Sequence, residues 1–116
     1  MATLTKITLS PEADGDGIRV STLAPIDGSD TTIHTAQSGT SHHDYVTLYA
    51  YNKHTADVSL ELKFGDSTDP IIQTIPFKAG LVLIVEGLPI CDSNVITASA
   101  GTVDVVTIYG WAIRRS

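Results

Sequence analysis

The run D-Y-V-T-L-Y-A-Y, Asp44 to Tyr51, alternates along its length. Val46, Leu48 and Ala50 fall on one side, and Tyr45, Thr47, Tyr49 and Tyr51 on the other. A period of two belongs to a β-strand with one face on a core. The next run, V-S-L-E-L-K-F (Val58 to Phe64), repeats the pattern with Ser59, Glu61 and Lys63 on a wet face. Between them N-K-H-T (52–55) has the length of a four-residue hairpin loop, so the two runs are expected to pair directly.

Working outward, apolar runs recur every ~8–12 residues between turn signals, the spacing of an all-β sandwich or barrel. Strands are expected near Thr3–Leu9, Ile18–Leu23, Thr31–Ala36, Ile71–Phe77, Leu81–Val85, Val95–Ala100 and Val103–Ile113, besides the two above. No helical periodicity occurs. The expected fold is therefore all-β, a single antiparallel β-sandwich of about eight or nine short strands, jelly-roll-like or immunoglobulin-like. One domain spans residues 1–116, and residues 1–40 are its least patterned part. L-V-L-I-V (Leu81 to Val85) does not alternate, so both its faces are expected to be covered, one by the core and one by a neighbouring element or subunit. In the last run Gly110 and Ala112 lie among bulky Tyr109 and Trp111, which predicts a close approach by another element.

Composition narrows the function. The chain carries a formal charge of −6, with its seven Lys and Arg scattered and no basic stripe. Nucleic acid would lack its main electrostatic driving term, and a membrane surface likewise. Arg114 and Arg115 read as a solvated end. The longest apolar run is five residues against the ~20 of a membrane helix. The first ten residues show no secretory h-region, so synthesis in a cytoplasm is expected. A single cysteine, Cys91, leaves no internal disulfide and no multi-thiolate metal site.

Three of the four histidines, His42, His43 and His54, flank the opening strand. Eleven extended residues span roughly 35 Å, so His43 and His54 cannot share an ion within one subunit. A site from His42, Asp44 and the distant His34 has no support in spacing; exposed loop histidines are expected, and no metal or cofactor is assigned. Ten of the thirteen acids are Asp, mostly in Gly/Ser/Thr-rich breaks. Asp14 with Asp16, Asp27 with Asp30, and Asp66 with Asp69 are candidate calcium turns, but ordinary turn chemistry explains them. No closing Glu or flanking helices complete a calcium loop. No nucleophile elbow, phosphate-binding loop or paired inward carboxylates occur. The chain is read as a non-enzyme. What remains is aromatic surface: Tyr45, Tyr49 and Tyr51 on one strand, Tyr109 and Trp111 on another. Such residues bury large area while keeping a polar handle, so they suit interfaces, and sugar-binding modules use them too.

The segments D-Y-V-T-L-Y-A-Y-N (44–52), Val58–Gly65, I-P-F-K-A-G (75–80) and V-T-I-Y-G-W-A-I-R (106–114) resemble small virion structural proteins of tailed bacteriophages, in particular head decoration (cement) proteins. The resemblance covers residues 44–115. It implies a non-enzymatic β-sandwich on the outer capsid surface of the virion, binding the major capsid protein and itself, as a homotrimer, and stabilising the shell. It also implies that Tyr45, Tyr49, Tyr51, Tyr109, Trp111 and Arg114 belong to interfaces. The alternative is a receptor- or glycan-binding domain of a phage tail fibre or spike, with the tyrosine stripe as its platform. A metal-dependent cupin-like enzyme would need three inward ligands, which the histidine spacing does not provide.

Overall fold

The computed structural model describes residues 3–12, 16–25, 30–65 and 69–115. Among them are nine strands: β1 (Leu4–Thr8), β2 (Ile18–Arg19), β3 (Thr31–Thr35), β4 (Asp44–Asn52), β5 (Val58–Phe64), β6 (Ile71–Ile75), β7 (Leu81–Ile90), β8 (Val95–Ala100) and β9 (Val106–Arg115). They make two antiparallel sheets. The first runs β1-β9-β4-β7, with β2 also on β9, and the second runs β3-β8-β5-β6. The protein is all-β, a β-sandwich.

The pairing is nested. β1 pairs with β9, β3 with β8, β4 with β7 and β5 with β6. A single long hairpin has been rolled across two sheets, and β4–β9 and β5–β8 pairing closes the roll. This is jelly-roll wiring, which selects one of the two sandwich types expected.

Alternation fills the interior. Val46, Leu48 and Ala50 of β4 meet Leu60 and Leu62 of β5, Ile96, Ala98 and Ala100 of β8, and Val106, Ile108 and Ala112 of β9 in one buried core. Each buried aliphatic side chain contributes about 1.5–3 kcal/mol through the water it leaves.

The expected β4–β5 hairpin does not form. The two strands lie in different sheets, and residues 53–57 cross between them. Asn52 explains the change of sheet. Buried at the end of β4, it donates through Nδ2 to the carbonyls of Ala56 (3.0 Å) and Ile75 (2.8 Å), and its Oδ1 accepts the His54 N–H. A side chain that bonds the loop and the second sheet together directs the chain over the core instead of back beside β4.

The reading of Leu81–Val85 needs a second correction. Val82, Ile84 and Val85 pack on the core, but Leu81 and Leu83 are 57% and 43% exposed, uncovered by any described element. The strand forms the first sheet's edge and continues to Ile90. Irregular register against β4, at Val46–Leu48 and Leu48–Tyr49, twists it. Three strands are also shorter at an end than expected by two residues or more: β2 stops at Arg19, β6 stops at Ile75, and β9 starts at Val106 after a turn in which Asp104 has φ +65°.

The expected close approach at Gly110 is present. A Cβ there would lie within the van der Waals radius of the Thr47 carbonyl oxygen of β4. Gly110→Ala should therefore push β9 off β4 and cost about 1–3 kcal/mol, as overpacking does. Urea unfolding of the two proteins measures this; a loss under ~0.5 kcal/mol would show that the strands separate freely.

Candidate functional site

The outward residues of the first sheet come from four strands. In the β4–β9 register Tyr45 faces Ile113, Thr47 faces Trp111, Tyr49 faces Tyr109 and Tyr51 faces Thr107. On the far side of β4, Leu83 lies opposite Tyr49 and Leu81 opposite Tyr51. On the far side of β9, Lys6 lies opposite Ile113 and Thr8 opposite Trp111. The Tyr49 and Trp111 rings sit 5.9 Å apart, tilted by 35°, and the Lys6 ammonium lies 4.6 Å from the Trp111 ring centre. Tyr109 covers Gly17, where any Cβ would strike its ring. Ring contacts and the cation over Trp111 hold the aromatics in place before anything binds.

Five of the six residues singled out in the sequence thus share one face. Tyr49, Tyr109 and Trp111 form its centre, Tyr51 lies toward the 53–57 crossing, and Tyr45 lies toward the other end, 6.2 Å from the His43 ring. The sixth, Arg114, points inward. Leu81, Leu83 and Lys6 complete the face. Their membership follows from which strands become neighbours, and local sequence carries no mark of it.

The second sheet differs. Its outward positions carry Thr32, Thr35, Ser59, Glu61, Lys63, Thr74 and Thr97, with Ile72 and the half-buried Val95 as apolar exceptions. One side of the sandwich is aromatic and apolar, and the other is hydroxyl-rich and charged.

Beneath the aromatic face, at the start of β4, sits a buried ionic cluster. Asp44 is wholly buried and directly opposite Arg114 in the register. Arg114 grips it with two bonds, Nε to Oδ1 at 2.9 Å and Nη2 to Oδ2 at 2.8 Å. His34 of β3, also wholly buried, reaches Oδ2 through Nε2 at 2.8 Å. The Ser10 backbone N–H donates to His34 Nδ1 at 3.1 Å. That bond makes Nδ1 the acceptor and leaves the ring proton on Nε2, where it is donated to Asp44. Burial pushes the Asp44 carboxyl's pKa up, but the hydrogen bonds from Arg114 and His34 and the charge of the Arg114 guanidinium outweigh it and hold the group below the ordinary carboxylate range. The same contact raises the Arg114 guanidinium. This corrects two expectations: Arg114 is not a solvated end, and His34 is not an exposed loop histidine.

Ser10, His34 and Asp44 have the residue types of a hydrolytic triad without its geometry. The Ser10 hydroxyl accepts the Thr35 N–H at 2.8 Å, the imidazole receives a backbone N–H, and no hydroxyl–imidazole bond exists. His34 and Asp44 do meet, as a metal site would need, but the third partner is a guanidinium. No group of three or more ligating side chains occurs among the described residues. Of the candidate calcium turns, Asp14, Asp27 and Asp66 lie outside the described residues. Cys91 is half-buried beside an apolar groove with Phe64, Leu88, Pro89 and Ile90. Comparison of the chain with family models, curated proteins and solved structures found no match.

Asp44 gives a pH prediction with a definite sign. A carboxyl held below its ordinary range stabilises the fold above about pH 4 and loses that contribution as pH falls further, through its folded value. Asp44→Asn should cost about 1–3 kcal/mol at neutral pH, because it takes away the carboxylate on which the buried His34 N–H and the Arg114 guanidinium converge. It should also flatten the acid limb of stability between about pH 4 and pH 2. Chemical denaturation at several pH values measures both, and an unchanged acid limb would contradict the assignment.

Proposed function

We propose that this protein is a non-enzymatic virion structural protein, a decoration protein that binds the outer capsid surface of a tailed phage and stabilises the shell. The observation that carries the reading is the asymmetry of the sandwich: one face gathers Tyr45, Tyr49, Tyr51, Tyr109, Trp111, Leu81 and Leu83, and the other is polar. Tyr and Trp anchors in a contiguous patch are the composition of a protein-binding surface. The jelly roll supports it by analogy alone, since capsid proteins, lectins and cupins share that architecture. The partners would be the major capsid protein and further copies of this chain, in a homotrimer.

Size favours multivalent adhesion. Four strands at ~4.8 Å spacing and about seven residues at ~3.3 Å give a face of roughly 450 Å². A standard stable interface takes ~800 Å² from each partner. One copy on this face alone would bind weakly, and many copies on a repeating shell would bind tightly through raised effective concentration. As a sugar platform the same face is less apt, because Lys6 occupies the Trp111 ring and the Tyr49 ring is tilted against it.

Co-sedimentation with cognate capsids lacking the protein tests the proposal. Wild-type protein should bind saturably, and Trp111→Ala or Tyr49→Ala should weaken binding at least tenfold, the ~1.4 kcal/mol or more expected of an aromatic anchor. Thr74→Ala on the opposite face should leave binding unchanged. Failure of the wild-type protein to bind, or equal losses from both faces, would overturn the reading.

A further inference from the structure

A second surface lies at the end of the sandwich, next to the aromatic face and sharing only Tyr51 with it. The crossing after β4 and the turn after β6 enclose an open cleft of about 300 Å³. Tyr51 and Phe77 give it aromatic walls, and Lys53, His54 and Lys78 give it basic groups. Among the described residues no acidic side chain lines it.

In a chain of net charge −6 with thirteen acids, lysines have many carboxylates available. Arg114 finds one of them, Asp44. Lys53 and Lys78 are exposed and pair with none among the described residues, and the Lys78 ammonium lies 5.9 Å from the centre of the Phe77 ring. The nearest acid in sequence, Asp57, turns its Oδ1 to the Phe77 backbone N–H at 3.2 Å, which fixes the turn. The other wall is equally tied. Asn52 holds the His54 N–H, and the Lys53 N–H donates to the Val105 carbonyl at 2.9 Å. Both walls are preorganised, so a ligand would order little backbone on binding.

Lys78 adds an independent pointer. Its φ is +62°, a left-handed conformation that costs most residues free energy and glycine almost none. Like Asp92, Ser93 and Asp104, Lys78 thus carries a side chain at a position where glycine would cost less, and in Lys78 that side chain is a cation beside the cleft.

We propose that this cleft binds a carboxylated sugar, the uronic-acid type of unit found in acidic polysaccharides. Tyr51 and Phe77 would take the apolar face of the pyranose ring, Lys53 and Lys78 the carboxylate, and the His54 imidazole a hydroxyl. Cleft size fits a single ring, being at the lower end of ligand pockets, which run ~300–1,000 Å³. Two ammonium groups and no carboxylate select against a neutral sugar. The inference does not depend on the capsid reading, and either can fail alone.

Amide-resonance titrations with glucuronate, glucose and acetate test it. Glucuronate should bind at least tenfold more tightly than either of the others, with shifts centred on residues 51–55 and 76–79, and added salt should weaken it. Lys53→Ala and Phe77→Ala should each lower affinity severalfold. Lys78→Gly should abolish most of the binding while keeping or raising the melting temperature, because it relieves the backbone. Equal binding of glucuronate and acetate would reduce the cleft to a bare charge patch and overturn the proposal. Equal binding of glucuronate and glucose would do the same, as would shifts confined to the Tyr49–Trp111 face or full affinity in Lys78→Gly.

Discussion

Asp44 is the constraint around which the sandwich is organised. Its carboxylate is wholly buried at the first residue of β4 and receives three hydrogen bonds, two from Arg114 on the neighbouring β9 and one from His34 on β3. A carboxylate in that position must be paired, because an unpaired buried charge costs several kcal/mol. The pairing therefore links the two sheets at one end of the sandwich, as the Asn52–Ile75 bond links them at the start of the 53–57 crossing. It also sets register: a slip of one residue between β4 and β9 would part Asp44 from Arg114 and turn the aromatic stripe into the core. His34 adds the second sheet, and Ser10 adds the segment after β1 through backbone and hydroxyl bonds to β3.

That placement separates cohesion from contact. The inner face of β4 carries Asp44, Val46, Leu48 and Ala50, and its outer face carries Tyr45, Thr47, Tyr49 and Tyr51. One strand thus supplies both the ionic clamp and the centre of the exposed aromatic face. The close β4–β9 approach at Gly110 brings Tyr109 and Trp111 alongside Tyr49, so the surface is assembled by core geometry and not by flexible loops. The exposed leucines of β7 extend it to the sheet's edge, where irregular register bends a strand that would otherwise offer a flat template for aggregation. At the end of the sandwich Asn52 plays a comparable part. It turns the chain between sheets and, by the same bonds, shapes one wall of the basic cleft.

How much of this was legible follows from the range of each interaction. Alternation within Asp44–Tyr51 and Val58–Phe64 is local, and both strands and their inward faces could be read directly. The small residue at Gly110 announced a close neighbour for the same reason. The sheet to which each strand belongs is not local: a four-residue break reads as a hairpin unless one knows that Asn52 will bond Ile75, 23 residues on. The Asp44–Arg114 pair spans 70 residues, and a terminal Arg-Arg offers no sign of it. The uncovered side of Leu81 and Leu83 was hidden because β7, though an edge strand, has an unbroken apolar sequence of the kind found in covered strands. His34 and Asp44 could be named together but not given their role, because the groups that fix it, the Ser10 N–H and the Arg114 guanidinium, lie 24 residues from His34 and 70 from Asp44.

The claim that a buried charge pair, and not aliphatic burial alone, locks β4 against β9 is tested most directly by a double-mutant cycle on Asp44→Asn and Arg114→Gln, read by chemical denaturation at neutral pH. Removing either partner should destabilise the fold, and removing the second should cost little more, giving a coupling energy of about 1.5 kcal/mol or greater. Losses that add to within ~0.5 kcal/mol would contradict it, showing the two side chains to be independent and the register to be held by the core alone.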